Sequence, residues 1–368
     1  KMAKEVKHRL GTWRCKRAVI PKGIKVDDKN IRVKDMNEVL YWGGKQAVLD
    51  IILNAELEPV ASVDNLGEVE SVDLDTLPGL KTGFTLLDKE IFSLFAGTVS
   101  VMTATPGSGK TSFSYQLACN FIQQGAPVFL YGRELPARLT RDWLNYIIAS
   151  DRNVVMKQNS DGGYYSIVDE TAKKYISKFL DGKLLNYKDD FSCCIDDVIE
   201  SIIACVRQYG VKAVILDSLM MLTSADQNKE SLAAQAEIMN KVIEVTKKYN
   251  LVTILIAHPR KMQAGQELDM YDIAGNSQIV NLAHRTFGMK RLAPQENNGY
   301  SAEIKIIKDR ILGKLGYKMP MYFKLSCRRF FTNYEEYAHR YPCDKNETVL
   351  KVPDVLQATE SNDKVVFG

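Results

Sequence analysis

Between Ala104 and Ser112 the chain reads ATPGSGKTS, with an apolar stretch before it and a helix-like stretch after it. Gly107 and Gly109 let the backbone turn so that successive N–H groups point at an anion from the start of a helix. Lys110 would reach β- and γ-phosphates, and the Thr111 hydroxyl suits Mg²⁺. Ala104, Pro106, Ser108 and Ser112 complete the phosphate-binding stretch; Ala104 stands where the usual pattern begins with glycine. The apolar run VKAVILDS ends in Asp217, a carboxylate placed to hold magnesium through water. Apolar strands ending in aspartate are common, so that reading leans on the glycine-rich loop upstream. Hydrolysis also needs a group that orients or deprotonates water. Glu134, in GRELP just after the run PVFLY, lies where a second parallel strand would deliver it to the ligand crevice. It is preferred over Glu90, Glu230 and Glu237, which fall on helix-like or loop segments; a solvated loop carboxylate is the plainer alternative. Together these residues call for ATP, or another nucleoside triphosphate, with Mg²⁺.

Such residues need a scaffold that brings them to one edge. Strand-like and helix-like runs alternate from TVSVMTA through PVFLYG, KLLNY and VKAVILD to LVTILIAH, with helices expected from Lys110, Pro136, Cys194 and Ala233. That alternation predicts an α/β fold with a mostly parallel central sheet, buried on both faces. Three further strands, HRTFGMKR, AEIKIIK and KMPMYFKL, follow without long helices, so this edge is expected to be antiparallel. Residues 1–57 hold short mixed elements, residues 58–79 form an acidic, aromatic-poor linker that would also serve oligomerisation, and residues 80–340 form the α/β domain. A polar tail over residues 341–368 is expected to be disordered.

The net charge of the 368 residues is +4, so any affinity for nucleic acid must come from local placement of cations. Seven scattered cysteines, an odd number without a C-x-x-C pair, argue against a disulfide scaffold or zinc site and fit a reducing compartment. No run approaches a membrane span. A cytosolic protein is expected, with the mitochondrial matrix or nucleoid as second choice.

In order, GLKTGFTLLDK, ATPGSGKT, LYGRELP, VILDS, ILIAHPRK, DIAGNSQIVNLAHR and KDR resemble the motor domain of DnaB-like replicative helicases, most closely the helicase part of phage primase-helicases and Twinkle. The resemblance runs from about Leu77 to Phe331. It implies a RecA-like P-loop NTPase fold, a homo-hexamer with a heptamer as the alternative, ATP hydrolysed between subunits, and 5′ to 3′ movement on single-stranded and forked DNA. Replicative polymerase and primase would be further partners. His258 would sense the γ-phosphate, Arg310 would be an arginine finger for the neighbour's nucleotide, Lys308 a second cation there, and Phe323 an aromatic stacking on adenine. Strand alternation sends Tyr322 and Phe323 to opposite faces, so one can be core while the other meets the base. The long polar stretch from Arg260 to Asn276 would line the DNA channel, with Arg260, Lys261, Gly275, Asn276 and Ser277 as contacts and residues 223–229 as a second candidate loop. The start of the chain, RLGTWRCKRAVIP followed by VKDMNEVL, looks like the end of a TOPRIM primase module, without a D-x-D metal pair, so no primase activity is expected.

Two other readings are open. One is another RecA-class ATPase, a recombinase or a KaiC-like protein; the other is a ring loader that uses ATP structurally and could dispense with Glu134.

Overall fold

The computed structural model describes residues 2–342 apart from 27–28, 58–59, 61, 106, 225–230 and 259–276. The chain divides into two compact units between Val72 and Asp73.

In the first unit, Asp35 caps the helix Met36–Leu53 by accepting from the Glu38 N–H, and the helix breaks at Gly44, whose φ is 74°. A ribbon pairs Gly23–Val26 with Lys29–Arg32, and Lys16–Arg17 pairs with Glu56–Leu57. Of its described hydrophobic side chains only Val33 and Val39 are buried, which fits a segment too short for a core of its own.

The second unit is built on a nine-stranded sheet. Its strands are β1 Thr98–Ala104, β2 Val128–Gly132, β3 Leu184–Asn186, β4 Ala213–Asp217, β5 Val252–Ala257, β6 Arg285–Arg291, β7 Ala302–Asp309, β8 Lys318–Lys324 and β9 Arg329–Phe331. They lie side by side in the order β3-β2-β4-β5-β1-β6-β7-β8-β9. The first six are parallel, and β6 to β9 run antiparallel to their successive neighbours. The helices are α1 Lys110–Gln123, α2 Ala137–Ala149, α3 Glu170–Leu180, α4 Ile195–Tyr209, α5 Ser231–Lys248 and α6 Ser277–Leu282.

Alternation along β4 shows why the strands read as unbroken apolar runs. Ala213 and Ile215 join a core with Phe113, Leu117, Phe121, Leu144 and Ile176 from α1, α2 and α3. Val214 and Leu216 join one with Ile195, Val198, Ile238, Val242 and Ile279 from α4, α5 and α6. Helices therefore cover both faces, as a parallel sheet requires.

Three expectations change. β6 (HRTFGMKR) is not antiparallel to its neighbour but parallel to β1, with Arg285 opposite Ser100 and Met289 opposite Ala104. The stretch between β5 and β6 exceeds the dozen or so residues a parallel crossover needs, although only the short α6 marks it among the described residues. Tyr341, placed at the head of a polar tail, is buried in the core, where its hydroxyl donates to the Asn120 Oδ1. Gly79–Leu80, at the end of the expected linker, pairs with Leu94–Phe95 and belongs to the second unit. Unread in the sequence were the hairpin Val154–Gln158 with Tyr164–Val168, helix α3, strand β9 and the helix Tyr334–Ala338.

The last strand is tied to the phosphate-loop helix. The Gln116 amide donates to the Phe330 carbonyl and accepts from the Phe330 N–H, both at 2.8 Å and both buried. Gln116→Leu leaves two buried backbone groups without partners and should cost about 2 kcal/mol, read as a lower midpoint in urea unfolding.

Candidate active site

Strand direction brings the expected residues together. In register, Asp217 lies opposite Gly132 and Ile256, and Ala257 opposite Thr103, so the loops carrying the phosphate stretch, Glu134, Asp217 and His258 all leave the same edge of the sheet. Gly107 and Gly109 have φ of 72° and 92°, the left-handed backbone the loop needs before α1. A Cβ on Gly109 would lie 2.5 Å from the Phe330 ring.

Lys110 sits at the centre. Its Nζ is 3.2 Å from His258 Nδ1 and 3.9 Å from Glu134 Oε1, while His258 Nε2 is 3.6 Å from the same carboxylate oxygen. Burial, and then the Lys110 charge, hold the His258 pKa below its ordinary value, outweighing Glu134. A neutral ring accepting from Lys110 at Nδ1 carries its proton on Nε2, towards Glu134.

Asp217 is buried, and its Oδ1 has no hydrogen-bond partner. Burial and the Glu134 charge push its pKa up to about 7, opposed by Lys110 and by the Thr111 hydroxyl lying against it. An unpartnered buried carboxylate oxygen beside a hydroxyl fits a divalent cation whose other ligands are phosphate and water. Thr111 and Asp217 are therefore the residues suited to hold Mg²⁺; among the described residues no cluster of three or more His, Cys, Asp or Glu could hold a metal by itself.

Beside the loop lies a cavity of about 290 Å³ lined by Gly107, Ser108, Gly109, Arg291, Pro294, Phe323 and others. Phe323 packs on Phe330 with centroids 4.7 Å apart, while Tyr322 stacks on Tyr300 and Phe331 on the other face. An aromatic ring and a guanidinium at the mouth of a phosphate loop suit a nucleotide base. Ser108 keeps a buried hydroxyl without a partner, whereas the Ser112 hydroxyl accepts from the Trp143 indole at 3.1 Å, and Ala104 is wholly buried.

Residues 86–264 match the AAA domain family. The chain is 25% identical over 335 residues to the Twinkle homolog protein, chloroplastic/mitochondrial, of Arabidopsis thaliana, a match covering 86% of this chain and 46% of that protein. It is 22% identical over 171 residues to a probable plasmid replicative DNA helicase of Chlamydia psittaci, covering 46% of this chain and 36% of that one. The chain thus spans less than half the length of these curated relatives. Its fold matches a solved ATPase domain with a TM-score of 0.59 at 16% identity, covering 73% of this chain and 96% of that one. It also matches a solved DnaB-like replicative helicase, described with its interactions with primase, with a TM-score of 0.58 at 17% identity, covering 80% and 73%. The chain is thus similar to DnaB-like replicative helicases.

Arg310 stands apart from the rest of the site. Its backbone N–H donates to the His284 carbonyl, and the His284 N–H donates to Val99 near the start of β1. Val99 and Ala104 are five residues apart, so the Arg310 turn and the phosphate loop lie about 16 Å apart along the strand at ~3.3 Å per residue. No single side chain spans that.

The expectation for Lys308 is revised. Its ammonium donates to the carbonyls of Val280, Asn281 and Ala283, the last two at 3.0 and 3.1 Å. All three N–H groups are used within its own chain, at the C-terminal end of α6 where carbonyls lack helical partners. Burial, then the Arg310 charge, lower its pKa to about 8. Lys308 is a helix cap in this arrangement.

Pro106, Arg260, Lys261, Gly275 and Asn276 lie outside the described residues, as do residues 225–229 of the second candidate loop; Ser277 begins α6, and its side chain is likewise not described. Among the described residues no helix is long and apolar enough to cross a membrane. Arg291 and Phe330 escaped the sequence reading. The signal for Arg291 was its position at the end of β6, which points to the phosphate loop only once β6 is known to be parallel to β1.

Asp217 also makes a pH prediction. With a folded pKa near 7, above the ordinary carboxylate value, the folded state binds the extra proton, so this group favours folding at low pH and opposes it as pH rises through about 7. Without nucleotide, Asp217→Asn should raise the thermal midpoint more at pH 8 than at pH 5; an equal rise at both would contradict the raised pKa.

Proposed function

We propose that this chain is the motor of a replicative DNA helicase that hydrolyses ATP, or another nucleoside triphosphate, between subunits of a ring and moves 5′ to 3′ on single-stranded DNA to part a duplex. The observation that carries this reading is the placement of Lys110 and Arg310 at opposite edges of one sheet. An arginine so far from its own phosphate loop serves a neighbour's. A head-to-tail contact of that kind repeats, as a ring where the rotation closes and as a filament where it does not. The ring and the hexamer are taken from the family resemblance.

ATP would lay its phosphates on the N–H groups at the start of α1. The γ-phosphate then draws the Lys110 ammonium away from His258 and Glu134, the two groups beside it. Glu134, released from that charge, accepts a proton from the attacking water, and the His258 Nδ1 is freed for the phosphate region. Mg²⁺, held by Thr111 and Asp217, supplies charge neutralisation on the phosphate oxygens when bound. Arg310 of the adjacent subunit offsets the charge that spreads over the γ-oxygens, an effect worth ~10³ to 10⁵ in rate. Arg291 and Phe323 bracket the base.

His258 directly precedes residues 259–276, so loss of the γ-phosphate can pass from its ring into the segment we assign to DNA. There Arg260 and Lys261 would meet phosphates while Gly275, Asn276 and Ser277 supply hydrogen bonds, giving salt-dependent, sequence-blind affinity. Primase and replicative polymerase are proposed partners. We read residues 1–57 as the end of a TOPRIM-like module and assign them no primase chemistry.

Two measurements test this. Lys110→Ala and Arg310→Ala should each abolish hydrolysis in a ring, and mixing the two should restore it well above either parent; no recovery would remove the assignment between subunits. On forked duplexes, strand displacement should need a free 5′ tail. DNA-stimulated hydrolysis without displacement on either fork would favour another RecA-class ATPase or a loader.

A further inference from the structure

Arg310 is carried by a turn whose fixing points are buried charges. Arg285 and Asp309 face each other across β6 and β7 with Nε to Oδ2 at 3.1 Å, and neither side chain reaches solvent. The Asp309 Oδ1 accepts from the backbone N–H groups of Ile311 at 2.8 Å and Leu312 at 3.1 Å, so this carboxylate shapes the turn on the far side of Arg310. Its own carbonyl accepts from the Gly313 N–H, closing the turn. The Arg285 guanidinium continues the chain of contacts inward. It donates to the carbonyls of Ser93 and Ile91, the latter at 3.0 Å, and lies over the Phe95 ring. On the near side, Lys308 fastens the strand end to the carbonyls that close α6.

We propose that Asp309 and Arg285 are the positioning residues of Arg310, presenting its guanidinium to the nucleotide of the adjacent subunit. The physical case is one of cost. A buried ion pair adds little to stability over an apolar pair of the same shape, because two charges must first be dehydrated. This pair, however, has a geometric product: the carboxylate that takes the Ile311 and Leu312 amides lies in a buried ion pair with a guanidinium that has its own buried anchors. A turn held this way loses little conformational entropy when the neighbour's phosphate arrives, and a finger displaced by ~1 Å can lose ~10²-fold in rate. Lys308 thereby acquires a role in the same device, as the clamp on the other side of Arg310.

The inference rests on the reading of Arg310 as a finger acting between subunits, so the test includes that residue as its own control. Asp309→Asn keeps an acceptor for the two turn amides and removes the charge pair. In the whole chain it should lower single-stranded-DNA-stimulated hydrolysis by about 10²-fold, with the nucleotide Kd within about twofold of the parent. Its phosphate loop is intact, so mixing it with Lys110→Ala, which supplies a normal finger, should restore turnover to as much as about a quarter of the parent rate for independently acting random interfaces. Recovery matching that of Arg310→Ala mixed with Lys110→Ala supports the proposal. If Arg310→Ala is rescued and Asp309→Asn is not, Asp309 acts on its own subunit's fold and the proposal fails. If neither is rescued, the reading between subunits falls, and the proposal with it. Should Asp309→Asn not fold, the paired variant Arg285→Met with Asp309→Leu leaves no lone buried charge. A fully folded paired variant with parental turnover would equally overturn the assignment.

Discussion

Strand direction governs what this protein can do. Six parallel strands covered by helices on both faces leave the sheet's two ends as the places where loops can meet a ligand, and the C-terminal end collects the phosphate loop, Glu134, Asp217 and His258. From β6 onward the direction reverses at each step, and β7 returns the chain to the opposite end, where Arg310 emerges. The architecture that assembles most of a hydrolytic site therefore separates it from the cation that would complete it. Under the proposed function, association between copies is what would bring that cation to the site.

Within the site, the charges are balanced against one another. Lys110 lies between a neutral imidazole and a carboxylate, and Asp217 is held partly protonated by burial beside Glu134. Each of these contacts is one that a phosphate or a divalent cation can replace with a stronger interaction. Under the proposed function, binding would redistribute charge: the Lys110 ammonium would turn to the anion, Glu134 would be released from it, and Asp217 would be free to help hold the cation. The Arg310 end is built on a different principle. There the charges of Arg285 and Asp309 are paired with each other and hidden from solvent.

The residues that spacing alone revealed were those whose chemistry is local. Gly107, Gly109, Lys110 and Thr111 announce themselves because backbone freedom, a cation and a hydroxyl must follow one another at a strand-to-helix turn, and the apolar runs of β1, β2, β4 and β5 follow from burial on two faces. Asp217 and Glu134 were legible as strand ends. Where a residue's meaning depends on a neighbour far away in the chain, the reading failed or was silent. Arg291 went unread, and Lys308, expected as a second cation at a neighbour's nucleotide, has the carbonyls of α6 around its ammonium. Tyr341 looked like part of a polar tail because the Asn120 side chain that receives its hydroxyl lies more than two hundred positions earlier.

By itself, then, the order of residues determined the nucleotide chemistry and the alternation of strand and helix, since both are set within a few residues by glycine conformation, side-chain charge and apolar periodicity. Tertiary structure alone decided the direction of β6, and with it the cavity that Arg291 and Phe323 share and the end of the sheet from which Arg310 projects. The physical reason is that strand polarity and the pairing of buried charges such as Arg285 with Asp309 are fixed by hydrogen bonds and desolvation between segments that meet only in the folded chain.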